Sequence, residues 1–141
     1  NQSNSGESVA ELRAELQDVM QNHFGVFRRG DFMQDGIQKL SALRERIANV
    51  HLKDKSQTFN TARIEALELE NLFEVAEATA IAAEGRNESR GAHARDDFRE
   101  RDDENWLCHS MFFPNDKRVG KREVNFSPKT VDRMEPQVRS Y

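Results

Sequence analysis

The chain has 141 residues, 36% hydrophobic and 33% charged, which implies one domain with a narrow core and wide solvated faces and suits striped helices better than a doubly buried sheet. A net charge of −4 argues against nucleic acid as the main partner, because phosphate binding is led by clustered Lys and Arg. The single Cys108 excludes an internal disulfide, and no stretch approaches the roughly 20 apolar residues of a membrane-spanning helix.

Residues 1–7 read as a polar linker, and a start at Asn1 without methionine suggests a piece of a longer polypeptide. The first helix is expected from Ser8, where Ser8 and Glu11 form the S-x-x-E capping box. Val9, Leu12, Leu16 and Val19 make its apolar stripe, which Met20, Phe24 and Phe27 extend past Gly25. Arg28 and Arg29 then suit a helix C-terminus, with Gly30 as the stop. Asp31 is the expected N-cap of a second, amphipathic helix carrying Met33, Ile37, Leu40, Leu43, Ile47 and Val50 on one face.

A polar connection from His51 to Thr58 leads to a third helix, from Asn60 or Thr61 to about Asn87. Its apolar residues, from Ile64 through Leu67, Leu69, Leu72, Phe73 and Val75, do not fall on one narrow stripe. So wide an arc predicts a central helix with partners on two sides.

The helical pattern then fails. Residues 86–104 hold 12 charged side chains in 19, five of them arginine and none lysine. Trp106 to Phe113 is apolar-rich and ends at Pro114, Asn115-Asp116 supplies turn chemistry, and Arg122 to Phe126 alternates, so a short β-hairpin is expected. The tail from Ser127 reads as extended. The expected fold is all-α: an antiparallel three-helix bundle, spectrin-repeat-like, over residues 8–87. Residues 88–141 form an irregular C-terminal extension of the same domain, with a charged loop, a hairpin and an extended tail.

The run Glu88-Ser89-Arg90-Gly91-Ala92-His93, followed by Arg95-Asp96-Asp97-Phe98 and Arg101-Asp102-Asp103-Glu104-Asn105-Trp106, resembles the signature region near the end of succinate dehydrogenase and fumarate reductase flavoprotein subunits. Phe59-Asn60-Thr61, Glu65-Ala66-Leu67-Glu68-Leu69 and the terminal Pro136-Gln137-Val138-Arg139-Ser140-Tyr141 also resemble that family. The compact spacing between Phe98 and Trp106 looks bacterial, and Arg99 departs from the family's usual proline.

The resemblance implies the C-terminal helical domain of a succinate dehydrogenase flavoprotein. The full-length subunit would oxidise succinate to fumarate by hydride transfer to covalently attached FAD. An iron–sulfur subunit and membrane-anchor subunits would carry the electrons to quinone. Flavin attachment, substrate clamping and proton transfer belong to N-terminal FAD-binding and capping domains. The implied location is peripheral, on the cytoplasmic face of the bacterial inner membrane. Fumarate reductase is the near alternative, L-aspartate oxidase a remote one, and an autonomous helical adaptor the least favoured.

The residues themselves bear on activity. The seven glycines nowhere form G-x-G-x-x-G, so the expectation is no cofactor on this chain and no activity alone. His93 beside Asp96 and Asp97 lacks a nucleophile and oxyanion donors, and is read as structural. Asp102-Asp103-Glu104 lacks EF-hand spacing and Cys108-His109 is too little for zinc, so no metal site is assigned. The arginine-rich stretch is instead expected to dock this domain onto the flavin domain, with Arg86, Glu88, Arg90, His93, Arg95, Asp97, Arg101 and Trp106 as the docking residues.

Overall fold

The structure is a computed structural model that describes residues 8–54 and 61–137. Linker 1–7, positions 55–58 of the expected connection, Phe59-Asn60 and residues 138–141 of the terminal motif lie outside the described residues.

Helix α1 spans Val9–His23, α2 Gly30–Asp54 and α3 Thr61–Gly85. The Ser8–Glu11 capping box is formed in both directions, so two orphan N–H groups of the first turn are satisfied. Contacts fix the directions. His23 of α1 lies against Gly36 of α2 while Glu15 pairs with Arg46, so α1 and α2 are antiparallel. Gln34 meets Glu84 and Arg44 meets Glu77, so α3 reverses again.

The core is the meeting of three stripes: Leu12 and Leu16 from α1, Met33, Leu40 and Leu43 from α2, and Leu69, Phe73 and Ala80 from α3. The alanines at 76, 80 and 83 shorten the side chains on α3 and let its neighbours approach.

Three expectations need correction. α1 stops at His23, with Phe24 as C-cap, and Phe27–Arg28 is not helix but strand β1. It pairs in parallel with β2, Ala94–Arg95, which lies inside the stretch expected to be an irregular loop. α2 begins at Gly30, which puts Asp31 in its first turn instead of at its N-cap, and runs to Asp54, beyond Val50. α3 ends at Gly85, two residues before Asn87.

The hairpin is present as β3, Cys108–Phe113, and β4, Arg118–Glu123. The second strand starts earlier than Arg122 because residues 114–117 already close the turn, with Lys117 in the left-handed region at φ 51°. The hairpin packs on α3, and Lys117 reaches the buried Glu77 that also pairs with Arg44. A short helix α4, Asp103–Trp106, precedes β3. No helix among the described residues is long and apolar enough to cross a membrane.

Candidate functional site

All eight residues singled out in the charged stretch meet in one network behind the C-terminus of α3. Glu88 is its hub. Its side chain is fully buried and accepts from Arg86, from Arg90 Nε at 2.8 Å and from the Asp102 N–H at 2.9 Å. Burial opposes its ionisation, but the hydrogen bonds from Arg90, the Asp102 amide and Arg86 outweigh that and hold its pKa below the usual value. Arg90 extends the chain of pairs to Asp103 at 2.6 Å, and Arg101 meets the other Asp103 oxygen at 2.9 Å.

Arg86 ties the network to the hairpin. It donates to the Trp106 carbonyl at 2.8 Å, to the Cys108 carbonyl and to Ser110 Oγ, while its guanidinium stacks on the Trp106 ring. Lys121 lies over the same ring at 3.9 Å. Trp106 therefore meets two cations at the base of the charged loop.

Arg95, 3% exposed, serves the other end. It binds Asp97 bidentately at 2.9 and 2.8 Å, and donates to the carbonyls of Glu84 and Arg86 and to Asn87 Oδ1. Those carbonyls are among the orphan acceptors at the end of α3, so one guanidinium caps that helix. Asp97 in turn accepts from the Gly30 N–H at 2.9 Å, at the start of α2. Hydrogen bonds from Arg95 and the positive end of α2 hold its carboxyl down at about 2. A Cβ at Gly30 would lie 2.8 Å from Asp97 Oδ2 and 2.9 Å from Arg95 Nη2, so a side chain there would push the pair back from the helix end.

His93 closes the network towards α1. Its Nε2–H donates to the Arg86 carbonyl at 3.0 Å and its Nδ1 accepts from Arg28 at 2.9 Å. Gly91, at φ +57°, makes the turn that returns His93 onto Arg90, whose backbone it meets in an isolated bridge.

The chemistry this arrangement can perform is positioning. The arginines and carboxylates are committed to one another, and His93 faces arginines with no carboxylate or nucleophile among its partners. Asp102 caps α4 by accepting from the Asn105 N–H, and Asp103 is paired twice, which is the charge-paired reading of that acidic run. At the strand-to-helix junction of β1 and α2, where a dinucleotide phosphate would sit, the chain's own Asp97 carboxylate already occupies the helix end. The residues present do not fit FAD at that junction.

The geometry agrees with what the chain is similar to. The family described as "Fumarate reductase flavoprotein C-term" matches residues 13–141. The chain belongs to this family. Among curated relatives, the succinate dehydrogenase flavoprotein subunit of Coxiella burnetii is 49% identical over 136 residues, covering 96% of this chain and 23% of the relative. The fumarate reductase flavoprotein subunit of Haemophilus influenzae is 37% identical over 96% of this chain and 22% of its own length. Among solved structures, FrdA of E. coli quinol fumarate reductase superposes with a TM-score of 0.76 at 35% identity, over 92% of this chain and 23% of that one. Mycobacterium smegmatis Sdh1, in complex with UQ1, gives 0.66 at 30% identity, over 84% and 21%. The chain thus spans less than a quarter of the length of these flavoprotein relatives.

Within this family member, sequence reasoning missed Arg28, Ser89 and Glu77. Arg28 reads locally as a cation at a helix end, yet it is the donor to His93. Ser89 Oγ bridges the loop by donating to the Phe98 carbonyl and accepting from the Arg95 N–H at 2.8 Å. Glu77, 5% exposed, was hidden among the alanines of α3. A carboxylate four residues after Phe73 and three before Ala80, on the buried side of the helix, was the available signal for it.

Proposed function

We propose that this chain is the C-terminal helical domain of a bacterial succinate dehydrogenase flavoprotein subunit, with a structural and docking role and no activity alone. The carrying observation is the likeness to the Coxiella burnetii flavoprotein over nearly the whole chain. In the full-length subunit, covalently held FAD would supply the hydride acceptor for oxidation of succinate to fumarate, and the electrons would leave through an iron–sulfur subunit to quinone at the membrane anchors. FAD is held by the N-terminal FAD-binding and capping domains. The assembly is peripheral, on the cytoplasmic face of the inner membrane.

The arginine network supports docking through shape. Its guanidinium groups are committed inside the chain, so they serve by holding the loop 86–106 in a fixed form against which the flavin domain packs. This keeps Arg86, Glu88, Arg90, His93, Arg95, Asp97, Arg101 and Trp106 as docking residues, acting as a rigid unit.

A chimera tests the reading. Replacing the matching part of the Coxiella burnetii flavoprotein with this chain is expected to give a subunit that incorporates flavin and supports succinate oxidation with quinone. A folded, flavin-loaded chimera with no succinate oxidation overturns it. Fumarate reductase is the second reading, favoured by the higher TM-score against the E. coli enzyme. The ratio of succinate oxidation to fumarate reduction in the native enzyme separates the two.

A further inference from the structure

Helix α3 is apolar on two opposite faces, and the chain covers only one. The inner face carries Leu69, Phe73, Ala76 and Ala80 into the core. On the outer face, Ile64, Leu67, Asn71, Val75 and Ala78 follow one another at helical steps. Ile64 is 60% exposed, Leu67 42% and Val75 67%, with Leu72 at 41% along one border. From Ile64 to Val75 the stripe runs about 17 Å. A shallow groove between α1 and α3, lined by Val9, Ala10 and Ala14 together with Arg13, Gln17 and Glu65, lies beside it. Large aliphatic side chains exposed together along one helix face mark an interaction surface.

Charge selects among the occupants. Residues 61–85 contain six carboxylates and a single cation, Arg63. Glu68 and Glu74 border the outer stripe and are exposed, Glu68 paired at 3.4 Å with Arg13 of α1. A second copy laying its α3 on this one would bring carboxylate against carboxylate, which is unfavourable at an interface. The complementary partner is an apolar surface edged with Lys or Arg.

We propose that the outer face of α3 is covered by the remaining part of the same flavoprotein polypeptide, through an apolar surface bordered by basic side chains. The inference rests on the reading given under Proposed function. The relatives are more than four times as long as the stretch matched here, so such polypeptide is at hand. Its covalent linkage gives it a higher effective concentration at this face than any separate subunit has.

Hydroxyl-radical footprinting of the free 141-residue chain and of the Coxiella chimera, prepared without other subunits, tests this. Oxidation of Ile64, Leu67 and Val75 is expected to fall several-fold in the chimera. Ile64→Ser with Val75→Ser should lower the melting temperature of the chimera by several degrees and leave that of the free chain almost unchanged. Three results overturn the inference. The first is full reactivity in a chimera that still oxidises succinate once assembled. The second is protection that appears only when the iron–sulfur subunit is added. The third is protection in the free chain that rises with its concentration, as self-association requires. A chimera that folds and loads flavin but never oxidises succinate overturns the underlying reading instead, and the inference falls with it.

Discussion

The Nδ1 of His93 lies 2.9 Å from Nη1 of Arg28, a residue 65 positions earlier in the chain. The other ring nitrogen faces the Arg86 carbonyl, which can only accept, so Nε2 carries the proton and Nδ1 offers its lone pair to the guanidinium. Burial first, then the charges of Arg28, Arg95 and Arg86, hold the His93 pKa below 6.5 in the folded chain. Above pH 6.5 both states are neutral and the contact contributes fully. As pH falls through that value towards the lower folded pKa, the unfolded chain takes up a proton that the folded chain refuses, and stability declines. His93→Gln keeps a donor and an acceptor without titrating. Its urea midpoint should be lower at neutral pH and should change less between neutral pH and about 5. Equal slopes for both proteins would mean that the fold does not hold His93 neutral.

Asp97 governs a separate, more acidic window. Its carboxyl, held at about 2 by Arg95 and the Gly30 amide, is ionised in the folded chain where an unfolded aspartate is already protonated. Its contribution is therefore whole above pH 4 and is lost as pH falls towards 2. With a third of the side chain exposed, solvent screening keeps that contribution modest. Asp97→Asn should lower the melting temperature at neutral pH, and the gap between variant and parent should close between pH 4 and 2.

Glu88 is the position where the network is most vulnerable. Removing this fully buried carboxylate strands Arg86 and Arg90 without their shared partner. Glu88→Ala is expected to cost about 3–5 kcal/mol in urea unfolding, the range for breaking a buried pair from one side. Arg101→Ala, which removes a pair at the exposed edge of the same network, should cost about 1 kcal/mol or less. Similar losses for the two would mean that Glu88 is not the hub.

What the sequence disclosed follows the distance over which each contact acts. The Ser8–Glu11 box was legible because both partners stand three residues apart, and the hairpin because its turn chemistry lies between its strands. The end of α1 was not. Phe24 and Phe27 continue the apolar spacing, and what draws Phe27–Arg28 out of the helix is pairing with Ala94–Arg95, invisible to any local window. The arginine run announced its members by composition. Whether they pair inward or outward depends on where Gly91 turns the loop, and the structure turns it inward. The two-faced pattern of α3 was legible, and only its inner side finds partners within the chain.

Two helical glycines should respond to alanine with opposite signs. Gly36 lies inside α2, where helix propensity alone favours alanine by up to about 1 kcal/mol. A Cβ there would stand 2.6 Å from both His23 Cβ and Phe24 Cε2, at the point where α1 ends against α2. Neither atom is the free end of a flexible side chain, so the helices must separate. Overpacking of that kind costs about 1–3 kcal/mol, more than the propensity gain, and Gly36→Ala should destabilise. Gly85 ends α3 with open space where its Cβ would point and needs no left-handed backbone. Gly85→Ala should therefore stabilise, by a few tenths to about 1 kcal/mol, through helix propensity and a less flexible unfolded chain. Chemical denaturation of the two single variants decides both signs. A stabilised Gly36→Ala would mean that α1 and α2 are less tightly apposed at His23 than the structure has them.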